Sequence, residues 1–167
     1  MMDQKLLFKN INFDDYFNWR IFHGQIVTEK RLKIMKLSNG MCILCKADIE
    51  DVTHVFTKCP YFKPVRSCVE FIVNHLGIGR LLPFNMIVGF LDSDKIYDVI
   101  NMVLSMARWV TWKTRCTLKF EKTSEKQTPA EYQFKYSLKK HTVTLLKSNA
   151  ISDIEVKNEL NGLLCVL

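Results

Sequence analysis

The chain predicts an all-α fold, a helical domain carrying one small Cys-Cys-His-Cys insert. Three observations lead there. Along most of the chain apolar residues recur at steps of three and four, the helical period, and not at steps of two. The segments patterned this way are bounded by capping residues and by glycine, asparagine or proline turns. Between two of them, MCILCKADIEDVTHVFTKCP (41–60) breaks the period and places three of the six cysteines and one of the four histidines within eighteen positions. A chain of 167 residues makes one domain, with or without an appendage, and buries a core without disulfides. The expected organisation is N-terminal helices over 1–40, a knuckle over 41–64 and a helical body over 65–167 that forms one unit with the knuckle.

The elements follow in order. DDYFNWRIFH predicts a helix that ends before Gly24. Thr28 is a good N-cap for a second, TEKRLKIMKL, stopped by Ser38-Asn39-Gly40. After the insert and Pro64, VRSCVEFIVNHL predicts a helix ended by Gly77, and GIGRLLPFNMIVGFL an irregular apolar stretch crossing the core. The longest helix starts at Asp92 or Asp94 and runs to about Phe120. Its polar stripe is Asp94, Asp98, Asn101, Ser105, Arg108, Trp112, Arg115 and Lys119, and its buried side Ile96, Ile100, Val103, Ala107 and Val110. Acids lie at its start and bases at its end, as the helix dipole favours. A loop over 124–128 precedes a capping box with proline at the first helical position, Thr128-Pro129-Ala130-Glu131. Ser152-Asp153-Ile154-Glu155 repeats the box for a last helix.

Charge is unevenly placed. From Arg108 to Lys147 there are ten Lys/Arg and three acids, a net of +7 that equals the net charge of the whole chain. Such a field fits either a solvated face or a polyanion site. No apolar run reads as a signal peptide or membrane span, and no Asn-x-Ser/Thr acceptor occurs. The ending LLCVL places Leu164, not cysteine, fourth from the end, so it is no prenylation signal. The expected address is intracellular, nuclear or cytoplasmic, where thiols stay reduced.

Within the insert the spacing is Cys42-x2-Cys45-x8-His54-x4-Cys59. A tight turn aims two cysteines separated by two residues at one point, and Zn²⁺ takes four such soft or borderline donors as a tetrahedron. Lys46 adds positive charge beside the thiolates, which lowers their pKa. Five residues of regular helix rotate a side chain by roughly 140°, so the helix carrying His54 must loosen before Cys59, and Pro60 biases Cys59 away from helix. Glu50 and Asp51 suit the positive end of that short helix. Three thiolates and an imidazole leave the ion no open position, so the reading is a structural zinc whose binding energy is folding energy. Cys68, Cys116 and Cys165 read as packing residues, with Cys68 the replacement if one ligand is misassigned. His23 and His75 read as structural.

Taken together, Trp19-Arg20, His23-Gly24, Thr28, Arg31-Leu32, Cys42-x2-Cys45 and Glu50-x3-His54-x-Phe56-x2-Cys59-Pro60 resemble the zinc-binding region at the C-terminal end of LINE-type (non-LTR) retrotransposon reverse transcriptases. NMVLSMARWVTWKTR (101–115) is similar to the long helix that follows the cysteine motif in many such elements. The resemblance spans roughly 15–120. One departure is Val65-Arg66, where the family often carries tryptophan. What it implies is a nucleic-acid-handling appendage of a polymerase. The polymerase itself is missing: the one adjacent aspartate pair, Asp14-Asp15, has no palm around it. Asp92-x-Asp94 reads as a helix cap, and no nucleophile triad or phosphate loop is present.

Two functional readings result. In the first, the chain is a non-catalytic zinc-knuckle module for RNA or single-stranded DNA. Lys30, Arg31, Lys33 and Lys36 form one basic patch; Arg108, Arg115 and Lys119 form another, with Trp112 either stacking on a base or serving as a packed ring beside its arginines. In the second it is a protein-interaction or structural piece that meets a reverse-transcriptase core or a second copy of itself. Neither involves a membrane.

Overall fold

The structure is a computed structural model that describes residues 15–92, 94–121, 128–148, 151 and 153–167. It is helical, and among the described residues it holds no strand, only one isolated antiparallel bridge between Met41 and Ile49. The α-helices are α1 (Asp15–Phe22), α2 (Glu29–Ile34), α3 (Lys63–His75), α4 (Pro83–Val88), α5 (Lys95–Phe120), α6 (Ala130–Lys147) and α7 (Ile154–Val166). A π-helical turn (His54–Lys58) and a 3-10 turn (Pro60–Phe62) lead into α3. None of these helices is long and apolar enough to cross a membrane.

Local chemistry accounts for most boundaries. Thr28 caps α2 as expected, its hydroxyl accepting from the Arg31 N–H. The helix ends sooner than its apolar pattern suggests, because Lys36 turns left-handed (φ 59°). Gly40 also takes positive φ and lies against α2, where an added Cβ would come within 2.7 Å of the Lys33 side chain. Helix α6 starts one residue later than its capping box implies, with Pro129 at the cap position and no side-chain cap. Asp153 caps α7 by accepting from the Glu155 N–H. Ser152 and 124–127 lie outside the described residues.

Helices α3, α5, α6 and α7 pack on one another around the main core, which includes Val69, Ile72, Val103, Phe134, Leu138 and Leu160. A second cluster joins Phe17, Ile21 and Ile26 to Val55 and Phe56 of the π turn, with Trp109 touching both cores. The insert therefore has packed anchors of its own: Cys42, Cys59 and Phe62 enter the main core and Val55 and Phe56 the second. Val65 fills buried space at the departure position, and Arg66 donates to the Cys59 carbonyl at 2.8 Å. The stretch 77–91 does not cross the core. It forms α4 at the edge, burying Met86 while Leu82, Phe84 and Leu91 are exposed. Its exit is pinned by Asn101, whose amide donates to the Phe90 carbonyl and accepts from the Phe90 N–H.

The polar stripe of α5 also departs from expectation, because it faces inward. Ser105, Arg108 and Arg115 are buried. The Arg108 guanidinium donates to Asn18 Oδ1, Ser105 Oγ and the carbonyls of Met86 and Ile87, which closes the carbonyl end of α4. Burial pushes its pKa down to about 10, so it stays charged at neutral pH. Arg115, 1% exposed, donates to Glu29 at 2.8 Å and through two nitrogens to Glu50 at 3.1 and 2.6 Å. Glu50 Oε1 also accepts the Glu29 N–H, while Glu29 takes Lys119 and the Ser38 hydroxyl. Burial works to raise the Glu29 pKa, but Lys119, Ser38 and Arg115 outweigh it and hold the carboxyl below its ordinary value.

Arg115→Ala strands the buried Glu50 carboxylate and takes one cation from Glu29, so chemical denaturation should show a loss of about 3–5 kcal/mol, with a Tm roughly 10 °C lower. A depressed native pKa contributes stability that is present above the unfolded carboxylate range and lost as pH falls through and below about 4.5. Melts from pH 7 down to 3 should therefore slope downward below about 4.5, and Glu29→Gln should flatten that slope.

Candidate metal centre

The knuckle is built by the chain reversing on itself. The Cys42 N–H donates to the Asp48 carbonyl and the Glu50 N–H to the Gly40 carbonyl, which frames the turn from 42 to 48. Inside it the Lys46 N–H closes onto the Cys42 carbonyl with Lys46 at φ 54°, and this tight bend brings Cys42 and Cys45 side by side. Asp51 then accepts the His54 N–H at 2.8 Å and starts the next turn. That turn loosens as its spacing requires. The Cys59 N–H reaches back five residues to the His54 carbonyl at 2.7 Å, and this π closure returns Cys59 to the face of His54. Cys59 itself sits at φ −54°, ψ 121°, outside the helical region and ahead of Pro60.

The four predicted ligands converge. Cys42, Cys45, His54 and Cys59 place their donor atoms within 4.8 Å of one another. Cys42 Sγ and Cys59 Sγ are 3.9 Å apart, and Cys45 Sγ and His54 Nε2 are 3.3 Å apart. Metal–sulfur bonds of ~2.3 Å in a tetrahedron imply sulfur–sulfur edges of roughly 3.8 Å, so the cage has the size of a tetrahedral thiolate site. Cys42, His54 and Cys59 are buried and Cys45 is half-buried. His54 turns Nε2 inward and leaves Nδ1 buried without a hydrogen bond, 3.6 Å from the Asp48 carboxylate. A carboxylate behind a ligating imidazole selects the tautomer that frees Nε2 to bind metal.

The thiols differ in character. Burial pushes Cys42 up, and Cys59 up to about 12. For Cys45 burial also acts upward, but the Ala47 N–H, the neighbouring thiols and the Asp48 N–H outweigh it and leave the group below its ordinary value. The charge of exposed Lys46 is not among the causes; its backbone closes the turn onto the Cys42 carbonyl instead. An ion binding here displaces protons from two reluctant thiols, so acid opposes loading. Cys68 is half-buried beside Lys135, Cys116 half-buried near Arg115, and Cys165 exposed, not packed. His23 and His75 are also on the surface.

The predicted polymer contacts divide. Lys30, Lys33 and Lys36 are exposed and Arg31 is half-buried, although Lys30 pairs with Asp51 at 3.3 Å. The second patch is corrected by the structure. Arg108 and Arg115 are interior, Lys119 is held on Glu29, and Trp112 lies under the Arg115 guanidinium (5.0 Å to its ring centre) against the second core cluster. Trp112 is a packed ring and the arginines are fold-forming cations. Glu50 likewise does not serve a helix end but is fully buried on Arg115. Sequence reasoning missed Asp48 and the Glu29–Arg115–Glu50 clamp. The signal for Asp48 was an acid in the turn between the ligand pairs, whereas the clamp joins residues 21 and 65 positions apart and leaves no local pattern.

Residues 5–65 match a family model described as zinc-binding in reverse transcriptase, a span that holds all four ligands, α1 and α2. No curated protein and no solved structure matches the chain.

Native mass spectrometry should find one divalent ion per chain. Cys45→Ser and Cys59→Ser should each lower its occupancy at least tenfold, as loss of a ligand implies. Cys68→Ser should leave it unchanged.

Proposed function

We propose that the chain is a non-catalytic zinc module that binds RNA or single-stranded DNA and derives from the C-terminal end of a LINE-type retrotransposon reverse transcriptase. The observation that carries the reading is the closed Cys3His cage within the span that matches the reverse-transcriptase zinc region. Four protein donors complete a tetrahedron, which suits Zn²⁺ as a structural ion and leaves no position for a reacting water. Once closed, the cage fixes the turn from which α2 is held, through the pairs Glu29–Glu50 and Lys30–Asp51. It thereby presents Lys30, Lys33 and Lys36 outward in a fixed array. Phosphates engage such an array with little sequence preference.

Exposed apolar side chains favour a second reading, a partner surface for a reverse-transcriptase core or another copy of the chain. Ile34, Met35 and Leu37 are exposed beside those lysines, and Phe71 and Phe84 elsewhere. Size-exclusion chromatography with and without oligonucleotide separates the two. A monomer that shifts with RNA supports the first, and a dimer indifferent to RNA the second.

Binding to a 20-nucleotide RNA should weaken steeply with salt. The slope of log K against log [salt] should be about −0.7 for each phosphate neutralised, and Lys33→Gln combined with Lys36→Gln should reduce its magnitude by about 1.4. A curve flat between 50 and 300 mM salt removes the first reading.

A further inference from the structure

The outer face of α1 carries an aromatic row that neither the metal centre nor the core uses. Tyr16 and Trp19 lie parallel, with ring centres 5.8 Å apart and 8° between planes; Trp19 and His23 follow at 4.4 Å. Tyr16 and Trp19 stand at i and i+3 on one side of α1, and His23 lies in the turn that follows it. Tyr16 is 57% and Trp19 48% exposed, whereas the opposite residues Phe17 and Ile21 are buried. The row is held in place: His23 Nδ1 meets the Trp19 carbonyl at 2.9 Å, and the Arg20 guanidinium lies over Tyr16 at 5.7 Å.

Cations close the end of the row. Arg20 donates to the Gln25 carbonyl, and Arg31 donates to the Gln25 side chain and the Gly24 carbonyl, so two guanidinium groups are fixed around the bend that follows His23. From the start of α1 at 15 to 37 the chain has five Lys/Arg and two acids, Asp15 and Glu29, and Glu29 is buried in the clamp. The charge this region shows to solvent is accordingly positive.

We propose that the Tyr16–Trp19–His23 row is the base-stacking platform of the module, with Arg20 and Arg31 taking the phosphates of the same single strand. The proposal rests on the nucleic-acid reading above and deepens it by naming the surface. Charge selects this occupant over a protein partner. An apolar docking face is ordinarily depleted of charge at its centre, whereas rigid rings bordered by forked cations match unpaired bases on an anionic backbone. Stacking accepts any base, because each has a π face, so preference for single strands over duplex should exceed preference among sequences. The indole that serves is Trp19, exposed on α1, and not Trp112, which is committed to Arg115.

The test uses the full chain loaded with zinc and a fluorescein-labelled 20-nucleotide poly(U), with an RNA duplex of equal length as competitor. Trp19→Ala should weaken binding about 10- to 100-fold with an unchanged salt slope, Tyr16→Ala should weaken it less, and Trp19→Phe should restore most of the affinity. Arg31→Gln should instead reduce the magnitude of the salt slope by about 0.7. Phe71→Ala, which removes an exposed ring on α3, should change nothing. Zinc content and helicity measured on each variant confirm the fold, and Tyr16→Ala carries the test if Trp19→Ala fails to fold. If the wild type binds poly(U) and both alanine variants bind it equally well, the platform is wrong and the module reading stands. If the wild type binds no oligonucleotide, both fall. If Trp19→Ala splits a dimer while poly(U) affinity holds, the face belongs to a second copy and the proposal is overturned.

Discussion

The arrangement of α2 and the knuckle on α5 depends on a guanidinium that is almost wholly removed from water. Arg115 reaches from the C-terminal part of α5 into the angle between α2 and the knuckle, where Glu29 and Glu50 receive it. Removing such a group from water costs several kcal/mol, recovered only where carboxylates meet it with good geometry. Few relative positions of α2, the knuckle and α5 satisfy that condition, which gives the ion group the character of a register device more than a source of stability. One carboxylate oxygen, Glu50 Oε2, is buried with no hydrogen bond, so the group is not even fully satisfied.

Metal and packing divide the remaining work inside the insert. A cage alone would fix four side chains and leave the rest of the turn to drift. Here the π turn points His54 and Cys59 at the ion position while Val55 and Phe56, the next residues round, enter the second core cluster. The same widened turn therefore sets coordination and docking together. A regular α-helical turn would separate His54 from Cys59, and a purely irregular loop would lose the burial of Phe56.

Legibility in the sequence followed the range of the interaction. Thr28, Asp153 and the left-handed glycines act over a few residues, and the helices they bound fell close to where their patterns placed them. The ligand spacing was readable for the same reason: a two-residue gap and an interrupted helix are local geometry. The α5 stripe was misread because amphipathicity records polarity and not destination. Ser105, Arg108 and Arg115 are polar residues facing protein, since α5 is covered on that side by α1, α4 and the knuckle, and no window of one helix contains that information. The stretch 77–91 failed in the opposite sense: its apolar composition suggested the interior, yet Leu82, Phe84 and Leu91 face solvent.

Formal charge needs the same discrimination between inside and outside. Ten bases between 108 and 147 suggest that the polyanion surface lies there. The fold spends Arg108 on helix carbonyls, Arg115 on two carboxylates, Lys119 on Glu29 and Lys135 on Glu131. Among the described residues of that segment, Lys113, Lys139, Lys140 and Lys147 are the bases left exposed. Over α1 and α2 the balance runs the other way, because Glu29 is internal and Lys30, Lys33 and Lys36 are external. That segment thus also presents a positive surface, and it is the one carrying exposed parallel rings. Net charge counts protons; only burial decides which of them a polymer in solution can meet.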